Sequence, residues 1–387
     1  MITDSTGKET GVLHVITGLN TGGAETALCR LLESIPAAEL KHSVLALSRE
    51  GALSERVRAS GAKLVHLNLS PICPKPLIPL SLMRLAHNLR PKVIHGWMYH
   101  GNLAASLAVF GSKVPVLWSI RHSLHDYSEE KWTLQAAIKI CGWLSHQPAQ
   151  IIYNSRVSSC QHEAIGYRRD KTRIIANGFD TAVFRPDAEA RARIRAELGI
   201  SDKDLVIGHV GRWHSVKDHP SLIQAASMFL KIKPQAVFVL VGDGVDRENY
   251  ALNGLMKELE IGDRVRLCGR RVDIAAINAA VDVATCSSSA EAFPNAVGEA
   301  MACGIPCVAT SVGDMNELIG DAGVLVAPRD PKALCAGWLQ MADISADDRA
   351  ALGERARRRI IERYSLASCT RAYLSLYEEI GSGECVV

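Results

Sequence analysis

The sequence predicts an α/β protein made of two doubly wound domains, each built on a parallel β-sheet. Short apolar strands alternate with segments of helical periodicity through both halves of the chain. The 387 residues exceed one ordinary domain and suit two domains of roughly 150 to 200 residues each. Between the halves, residues 177–190 show no clear strand or helix pattern, and Gly178 and Pro186 interrupt the stretch.

The predicted strands are short runs rich in β-branched and other apolar residues, seven before the junction and six after it. In the first half they read VLHVI, SVLAL, KLVHL, VIH, VPVLWSI, QIIYN and TRIIA. In the second half they read LVIGHVG, AVFVLVGDG, RVRLCG, DVATCSS, PCVAT and GVLVA.

The segments between strands carry apolar residues at three- and four-residue spacing, which predicts helices. Examples are ETALCRLLESI, SLIQAASMFLKI and ENYALNGLMKELE, and two more, DDRAALGERARRRIIERY and SLASCTRAYLSLYEEI, follow the last strand. We expect a first domain over residues 1–180, a second over 181–366, and a final helix over 367–387.

The composition is that of a globular protein, with 48% hydrophobic and 22% charged residues. No run approaches the roughly 18 apolar residues of a membrane span. The opening segment MITDSTGKETG is polar and lacks the apolar core of a secretory signal, so we expect a cytoplasmic protein. The 11 cysteines are odd in number and contain no C-x-x-C, which favours buried free thiols over disulfides or a zinc site.

The net charge of +3 hides an asymmetry between the halves. Residues 1–180 contain 20 Lys and Arg against 13 Asp and Glu, a net +7, and the remainder is 24 − 28 = −4. A basic half could meet an anionic membrane surface, a polyprenyl phosphate or another anionic acceptor. The plainer alternative is scatter over a solvated surface, because no dense Lys/Arg run appears. We expect no nucleic-acid partner.

The stretch EAFPNAVGEA places Glu291 and Glu299 on either side of a Phe-Pro-Asn turn. Pro294 suits a first helical turn and disfavours helical geometry at Phe293, so a helix is predicted to begin near Pro294 or Asn295. Glu291 then belongs to the preceding loop and Glu299 to the second helical turn. Free backbone N–H groups at the helix start favour an anion such as phosphate between the two carboxylates.

Both carboxylates are candidate ligands of sugar hydroxyls. A carboxylate accepts hydrogen bonds from vicinal diols, so one could hold a ribose and the other a hexose. The alternative for Glu299 is capping or pairing on the helix surface. The apolar run GEAMACGIPCVAT argues against an exposed position, and a buried glutamate without a partner is costly.

Arg212 and Lys217 follow the predicted strand LVIGHVG. A guanidinium fork and a mobile ammonium suit a diphosphate. Two exposed cations near a turn are common and by themselves indicate little. Ligands of open α/β sheets bind at the carboxyl ends of the strands, however, and the helix start at Pro294 lies at the same sheet edge as this pair. This shared edge favours a functional interpretation, while His214 between them is interpreted as a loop residue.

Gly22 and Gly23 in TGLNTGGAE follow the first predicted strand. Consecutive glycines let backbone N–H groups approach an anion without side-chain interference. The pattern is neither G-x-G-x-x-G nor a P-loop, and a plain strand-to-helix turn explains it equally well.

Two further groups of residues are candidates that also have a simpler structural explanation. In SIRHSLHD, His122 lies nearest a strand end, where it could orient a sugar hydroxyl, although a lone histidine is more often structural. His125 and the histidines of HGWMYHGN compete with it. Asp202 and Asp204 form D-x-D in a polar turn before a strand, and we interpret them as a solvated turn rather than a metal site.

In this order, the motifs resemble the retaining GT-B glycosyltransferases, the family whose hallmark is a Glu-x7-Glu element. GR-x4-K, VGDG and E-A-F-P-N-x3-E-A-M-A-C-G-I-P-C-V-A-T resemble the nucleotide-sugar half of that family. TGLNTGGAE, RHS, YNS and NGFD resemble its N-terminal half and the interdomain junction. The resemblance implies two Rossmann-like domains facing across a cleft, with the C-terminal helix crossing back to the first domain.

The resemblance also implies roles for individual residues. It places Arg212 and Lys217 at the donor diphosphate, Glu299 at the ribose and Glu291 at hydroxyls of the transferred sugar, with His122 touching that sugar. It assigns catalytic roles to His122, Glu291, Arg212 and Lys217. The other residues that it places along the donor are Gly22, Gly23, Asp243, Phe293, Pro294 and Asn295.

The implied reaction is transfer of a sugar from a nucleoside diphosphate, with UDP expected, to a glycan or lipid-linked acceptor in cell-surface polysaccharide or glycolipid synthesis. The resemblance implies retention of configuration, no cofactor and no metal. A lipid-linked acceptor would make the protein peripheral at the inner face of the membrane. Two alternatives stay open: a sugar-nucleotide epimerase on the same architecture, and a non-catalytic nucleotide-sugar-binding subunit. A dehydrogenase is disfavoured because GDGVDRENY fails the dinucleotide fingerprint.

Overall fold

The structure is a computed structural model that describes residues 11–69, 78–125 and 127–382. It divides into two compact units. Unit 1 runs to Asn177 and includes the chain from Leu366 onward, and unit 2 spans Gly178–Ser365. The opening segment on which we expected no secretory signal spans residues 1–11, and all of it except Gly11 lies outside the described residues.

All thirteen predicted strands are present, and their bounds differ from the predicted runs by a few residues at most. In unit 1 they are β1 (Val12–Ile16), β2 (His42–Ala46), β3 (Lys63–His66), β4 (Val93–Trp97), β5 (Val116–Ile120), β6 (Gln150–Tyr153) and β7 (Thr172–Ile174). In unit 2 they are β8 (Val206–Val210), β9 (Val237–Val241), β10 (Val265–Leu267), β11 (Val283–Cys286), β12 (Cys307–Thr310) and β13 (Gly323–Val326).

Helices connect the strands, as the periodicity predicts. In unit 1 they are α1 (Gly23–Ser34), α2 (Ser54–Ala59), α3 (Ile78–Leu89), α4 (Met98–Ala108), α5 (Trp132–Leu144) and α6 (Arg156–Ala164). In unit 2 they are α7 (Ala188–Glu197), α8 (His219–Ile232), α9 (Tyr250–Glu258), α10 (Ile274–Ala280), α11 (Asn295–Ala302), α12 (Met315–Ile319), α13 (Pro331–Asp343) and α14 (Ala346–Tyr364), and α15 (Leu366–Gly381) returns to unit 1.

Each sheet is parallel, and the direction in which successive strands are added to it reverses once. The strand order is β3-β2-β1-β4-β5-β6-β7 in unit 1 and β10-β9-β8-β11-β12-β13 in unit 2. The reversal falls between β1 and β4 in the first sheet and between β8 and β11 in the second. At such a switch point the loops leaving two adjacent strands diverge to opposite faces, which opens a crevice at the carboxyl edge of the sheet.

The sheet of unit 1 is covered on both faces. One core forms where α1 and α15 pack on the strands, with Leu28, Tyr373 and Leu376 buried. A second core forms where α3, α4 and α5 pack on the opposite face, with Leu82 and Ile138 buried. These two cores fix the strands whose ends carry the candidate residues of this unit.

The predicted irregular stretch between the halves of the chain contains the start of a helix. We expected no regular structure over residues 177–190, but α7 already begins at Ala188. Asp187 caps this helix by accepting a hydrogen bond from the backbone N–H of Ala190 at 2.9 Å. An aspartate directly before the first helical residue can cap a helix in this way, and Asp187 is such a helix-start signal. The prediction of an irregular stretch overlooked it.

Two other sequence interpretations are confirmed. The nine described cysteines are all free, and six of them are buried, although Cys160 is exposed. The turn containing Asp202 and Asp204 is a surface turn, in which the Asp204 carboxylate accepts a hydrogen bond from the Ser201 N–H at 2.8 Å.

No helix within the described ranges is both long and apolar enough to cross a bilayer.

Three buried histidines lie on adjacent strands of unit 1. Nε2 of His14 lies 3.0 Å from Nδ1 of His42, and the indole N–H of Trp97 donates to Nδ1 of His14 at 3.1 Å. Because an indole can only donate, His14 carries its proton on Nε2 and donates to His42. His95 bonds through Nδ1 to the Tyr377 hydroxyl of α15 at 2.8 Å. This network requires His14 to be neutral.

Burial lowers the pKa of all three imidazoles. The pKa of His14 and His95 falls well below the usual value, and that of His42 falls to about 4. The folded state therefore binds fewer protons than the unfolded state, in which histidine titrates near a pKa of about 6.5. The stabilising contribution is complete above about pH 6.5 and is lost as the pH falls below it, by up to about 1.4 kcal/mol per pH unit for each histidine.

We therefore expect the free energy of unfolding to fall steeply between about pH 6.5 and 5. Denaturant unfolding at a series of pH values measures it. His42→Asn keeps an acceptor for His14 but cannot titrate, so it should make this dependence shallower by the contribution of one histidine, whereas the exposed His146→Asn should leave it unchanged. A stability that is flat over this range would contradict the assignment of neutral buried histidines.

Candidate functional site

The candidate donor residues of unit 2 follow three neighbouring strands. Arg212 and Lys217 come after β8, Asp243 after β9 and Glu291 after β11. Since β9, β8 and β11 are adjacent in the sheet, their carboxyl ends share one edge. The switch point between β8 and β11 therefore lies between the loop of Lys217 and the loop of Glu291.

Lys217 and Glu291 form an ion pair at this switch point. Lys217 ends a 3₁₀ turn, and its Nζ lies 2.5 Å from Oε1 of Glu291. The Ser288 hydroxyl donates to the same carboxylate oxygen at 2.7 Å. The lysine side chain is 22% exposed and the glutamate side chain 14%. Two donors on one oxygen fix the orientation of the carboxylate.

The environment of Lys217 keeps its ammonium charged. Burial acts to lower the pKa of Lys217, but the charge of Glu291 and its hydrogen bond outweigh burial, so the pKa lies above its usual value. Lys217 is consequently a fixed cation at neutral pH and is unsuited to act as a base.

Hydrogen bonds to two backbone carbonyls join the loop after β8 to the loop after β11. The Ser287 hydroxyl donates to the carbonyl of Lys217 at 2.7 Å. The N–H of Ser289 donates to the carbonyl of Val216 at 2.8 Å. The ion pair is therefore set by rigid backbone on both sides, which makes it a preorganised feature of unit 2.

Gly313 supports the Glu291 loop from behind. A Cβ on Gly313 would lie 2.4 Å from the carbonyl oxygen of Glu291, and the glycine has a φ of +55°. The N–H of Asp314 donates to the carbonyl of Ala292 at 3.3 Å. Only glycine combines this backbone conformation with so close an approach.

The side chains of Arg212 and Asp243 are exposed at the same edge. Their loops meet through backbone, because a Cβ on Gly242 would lie 2.1 Å from the carbonyl oxygen of Gly211. The Asp243 carbonyl accepts from the Trp213 N–H at 2.8 Å. Asp243 thus has a demonstrated backbone role in shaping the Arg212 loop.

Helix α11 begins at Asn295, as predicted from Pro294. Pro294 is the N-cap residue, and its side chain makes no capping hydrogen bond. Phe293 is buried and stacks on Phe179 with ring centroids 6.1 Å apart. Glu299 lies in the second turn and is half-buried. Burial and then the charge of Glu299 raise the pKa of the Cys303 thiol to about 12.

In unit 1, Gly22 and Gly23 form the start of α1. Gly22 is the N-cap residue in extended geometry, and Gly23 is the first helical residue. A Cβ on Gly22 would lie 2.2 Å from the Glu25 carboxylate, whereas a Cβ on Gly23 would have no atom within 4 Å. Gly23 therefore faces open space at a helix N-terminus, where backbone N–H groups favour an anion.

His122 follows β5, and both its ring nitrogens have partners within unit 1. Nδ1 lies 3.2 Å from the Tyr99 hydroxyl, and Nε2 lies 3.1 Å from Oε1 of Glu130. The Tyr99 hydroxyl also bonds to Nε2 of His162 at 2.7 Å. Burial lowers the pKa of His122 and outweighs the charge and hydrogen bond of Glu130, which raise it. Because an ionised carboxylate can only accept, the contact with Glu130 is a hydrogen bond from Nε2–H of His122.

Three residues that no sequence motif indicated hold the site in place. Ser288, Gly313 and Glu130 contact predicted site residues, but none belongs to a motif that the sequence analysis used. The run SSS directly after β11 was the available signal for Ser288. Within the described ranges, no group of three or more His, Cys, Asp or Glu side chains is placed to hold a metal ion.

Comparison with known proteins agrees with this fold and these motifs. Residues 21–183 match the model of Glycosyltransferase Family 4, and residues 204–343 match that of Glycosyl transferases group 1. The solved structure of Anabaena Alr3699/HepE in complex with UDP and glucose has a TM-score of 0.83 at 22% identity, covering 96% of this chain and 100% of that one. The chain belongs to the family 4-like glycosyltransferases of GT-B architecture.

Two curated relatives are more similar in sequence. The N-acetyl-alpha-D-glucosaminyl L-malate synthase of Bacillus anthracis is 31% identical over 224 residues, which are 57% of this chain and 56% of that protein. The putative glycosyltransferase EpsF of Bacillus subtilis is 25% identical over 306 residues, 77% of this chain and 78% of that protein. The match with the first of these relatives thus spans only about half of its length.

Proposed function

We propose that the protein is a retaining glycosyltransferase that moves a sugar from a nucleoside diphosphate, with UDP as the nucleotide, to a glycan or lipid-linked acceptor. The Lys217–Glu291 pair carries the proposal, because it fixes a cation and a carboxylate beside the start of α11. A diphosphate suits the cation and the helix start, and sugar hydroxyls suit the carboxylate.

The comparisons support the donor class. The Anabaena neighbour binds UDP and glucose, and the Bacillus anthracis relative is an N-acetyl-alpha-D-glucosaminyl L-malate synthase. We infer a UDP-hexose or a close derivative as the donor of this chain.

Each half of the donor has a proposed set of partners. Arg212 and Lys217 hold the diphosphate, Glu299 holds the ribose, and Glu291 holds hydroxyls of the transferred sugar. The backbone of Phe293, Pro294 and Asn295 lines the site, Asp243 shapes the Arg212 loop, and Gly22 and Gly23 supply backbone N–H groups to the donor.

The chemistry follows from where charge develops. As the bond between the sugar and the diphosphate breaks, negative charge grows on the leaving phosphate, and Arg212, Lys217 and the α11 start stabilise it. The leaving phosphate accepts the proton of the acceptor hydroxyl on the same face, which retains the anomeric configuration. The protein thus supplies positioning and fixed positive charge rather than a base or a metal.

We place this reaction in the assembly of cell-surface polysaccharides or glycolipids. The test is a screen of UDP-, GDP-, ADP- and TDP-sugars for release of the nucleoside diphosphate in EDTA, with and without a cell-derived glycolipid fraction. We expect release from one donor and its loss in Glu291→Ala. Conversion of the donor sugar without release would instead indicate an epimerase, and tight binding with no turnover under either condition would indicate a binding subunit.

The variant Gly23→Ala tests whether the start of α1 binds an anion or is only a strand-to-helix turn. We expect unchanged thermal stability, since the added methyl group meets no atom within 4 Å, and a KM for the donor raised by about tenfold or more because the methyl group blocks close approach of a phosphate. Steady-state kinetics and a melting curve measure both quantities. Gly22→Ala is the contrasting variant, because its methyl group collides with the Glu25 carboxylate. An unchanged KM in Gly23→Ala would leave the turn without a ligand role.

Glu130 occupies the nitrogen of His122 that a sugar hydroxyl would need. We therefore expect Glu130→Ala to leave kcat/KM within about threefold of wild type or to raise it, and His122→Ala to lower it by about tenfold or more. Kinetics on the donor identified by the screen measure both. Equal losses in the two variants would mean that the pair acts as a structural unit and that His122 does not bind the sugar directly.

A further inference from the structure

One face of unit 1 combines exposed apolar side chains with cations. The outer surface of α3, α4 and α5 is called the cationic face here. Its exposed large apolar side chains, with their exposed fractions, are Leu80 (49%), Leu107 (44%), Phe110 (75%), Trp132 (79%), Ile140 (47%) and Trp143 (77%). Among the described residues of α1, α2 and α15, which cover the opposite side of the sheet, no large apolar side chain is comparably exposed.

The two tryptophans lie on the same side of α5. Eleven residues are about three helical turns, so Trp132 and Trp143 share a side and lie about 16 Å apart along the axis. Ile140 is exposed between them, while Ile138 and Cys141 face the core. The exposed side of α5 thus presents two indole rings at its ends and an aliphatic side chain between them.

The cationic face carries no acidic residue on its helices. The sequences of α3, α4 and α5 contain no Asp or Glu. Its exposed cations lie on these helices or at their ends, and they are Arg84, Arg90, Lys113, Lys131 and Lys139. On the opposite side, Glu33 of α1 pairs with Arg56 of α2. The three helices therefore place positive charge among the exposed apolar side chains, while Glu129 and Glu130 directly precede Lys131 in the sequence.

A groove between α3 and the end of α4 adds to this surface. Its volume is about 720 Å³, and its lining includes Leu80, Met83 and Phe110 together with Arg84 and Arg90. An apolar groove with guanidinium groups at its rim suits a chain that carries a phosphate at one end.

We propose that the cationic face docks on an anionic phospholipid surface. Tryptophan and lysine at the border of an apolar surface suit the interface of a bilayer, where the indole rings and aliphatic side chains enter the headgroup region and the cations meet phosphates. A second copy of the chain fits less well, because a self-paired interface would bring cations against cations. The proposal rests on the proposed function only in placing the acceptor at the same lipid surface.

Co-sedimentation of the full chain with phosphatidylcholine vesicles, with and without about one third phosphatidylglycerol, tests the proposal. Wild type should bind the anionic vesicles and not the neutral ones. Trp132→Ser/Trp143→Ser and Lys131→Glu/Lys139→Glu should each lower the partition coefficient by about tenfold or more. Matched controls on other surfaces, Tyr250→Ser/Val272→Ser and Lys41→Glu/Lys332→Glu, should bind like wild type.

Binding is measured without turnover, so this proposal and the proposed function can fail separately. Wild type that stays in solution with anionic vesicles would overturn the proposal, as would tryptophan and lysine variants that bind like wild type. A dimer that Trp132→Ser/Trp143→Ser dissociates, with no vesicle binding by wild type, would assign the face to a second copy instead. Circular dichroism confirms that each variant is folded.

Discussion

Glu291→Gln is expected to lower donor turnover by about 100- to 1000-fold, the loss usual for one preorganised electrostatic contact in an active site. Glutamine keeps the shape of the side chain but removes the negative charge of the carboxylate, which accepts hydrogen bonds from Lys217 and Ser288. Lys217 then keeps a partly buried ammonium without its carboxylate. Since both side chains retain some exposure, we expect a stability loss of about 1–2 kcal/mol rather than the larger cost of breaking a fully buried pair.

Control variants distinguish the loss of the Lys217–Glu291 pair from a general loss of charge. Glu258→Gln changes an exposed glutamate of α9 in the same unit and should leave turnover unchanged. Lys217→Met should lose about as much activity as Glu291→Gln, and the double variant should lose little more, because residues that act as one unit are not additive. Turnover in Glu291→Gln within threefold of wild type would remove Glu291 from the proposed chemistry.

Gly298→Ala is expected to destabilise unit 2 by about 1–3 kcal/mol, the usual cost of overpacking a core. An added Cβ would lie 2.0 Å from Cζ of the Phe179 ring, which is completely buried. The ring cannot move away freely because it stacks on Phe293, and Phe293 in turn contacts Tyr364 at 5.9 Å between centroids. The melting temperature should fall by about 2–4 °C per kcal/mol for a unit of this size.

Gly254→Ala is the matched control, because it lies inside α9 and an added Cβ would have no atom within 4 Å. It should be neutral or stabilise unit 2 by up to about 1 kcal/mol, as alanine is the better helix former. Phe179→Leu should relieve the collision, so Gly298→Ala/Phe179→Leu should lose less stability than the sum of the two single variants. Equal melting of Gly298→Ala and wild type would contradict the packing described here.

The strands were predictable because each is a short apolar run bounded by glycine, aspartate or polar turns. The helix start at Asn295 was also predictable, since Pro294 restricts the backbone on both sides of itself. These features are local, and local sequence determines them. The start of α7 was equally local and was missed only because the Asp187 cap was overlooked.

The ion pair at the switch point was not predictable from spacing. Lys217 and Glu291 are 74 positions apart, and they meet because β8 and β11 are neighbours in the sheet. Strand order depends on how the crossover helices pack, which no short motif records. The pairing of His122 with Glu130 was missed for a related reason, as it depends on how the segment between β5 and α5 folds back. The sequence therefore indicated candidate residues but not the side chains with which they pair.

A proton NMR time course of the donor sugar in EDTA, using the donor identified by the screen, tests the central claim most directly. It follows the anomeric proton of the donor and of the first product formed, before the product sugar re-equilibrates. We predict that the nucleoside diphosphate is released while the transferred sugar first appears with the anomeric configuration of the donor, and that Glu291→Gln abolishes both changes. A first product of the opposite configuration, or turnover that needs added metal, would contradict the proposed retaining, metal-independent transfer.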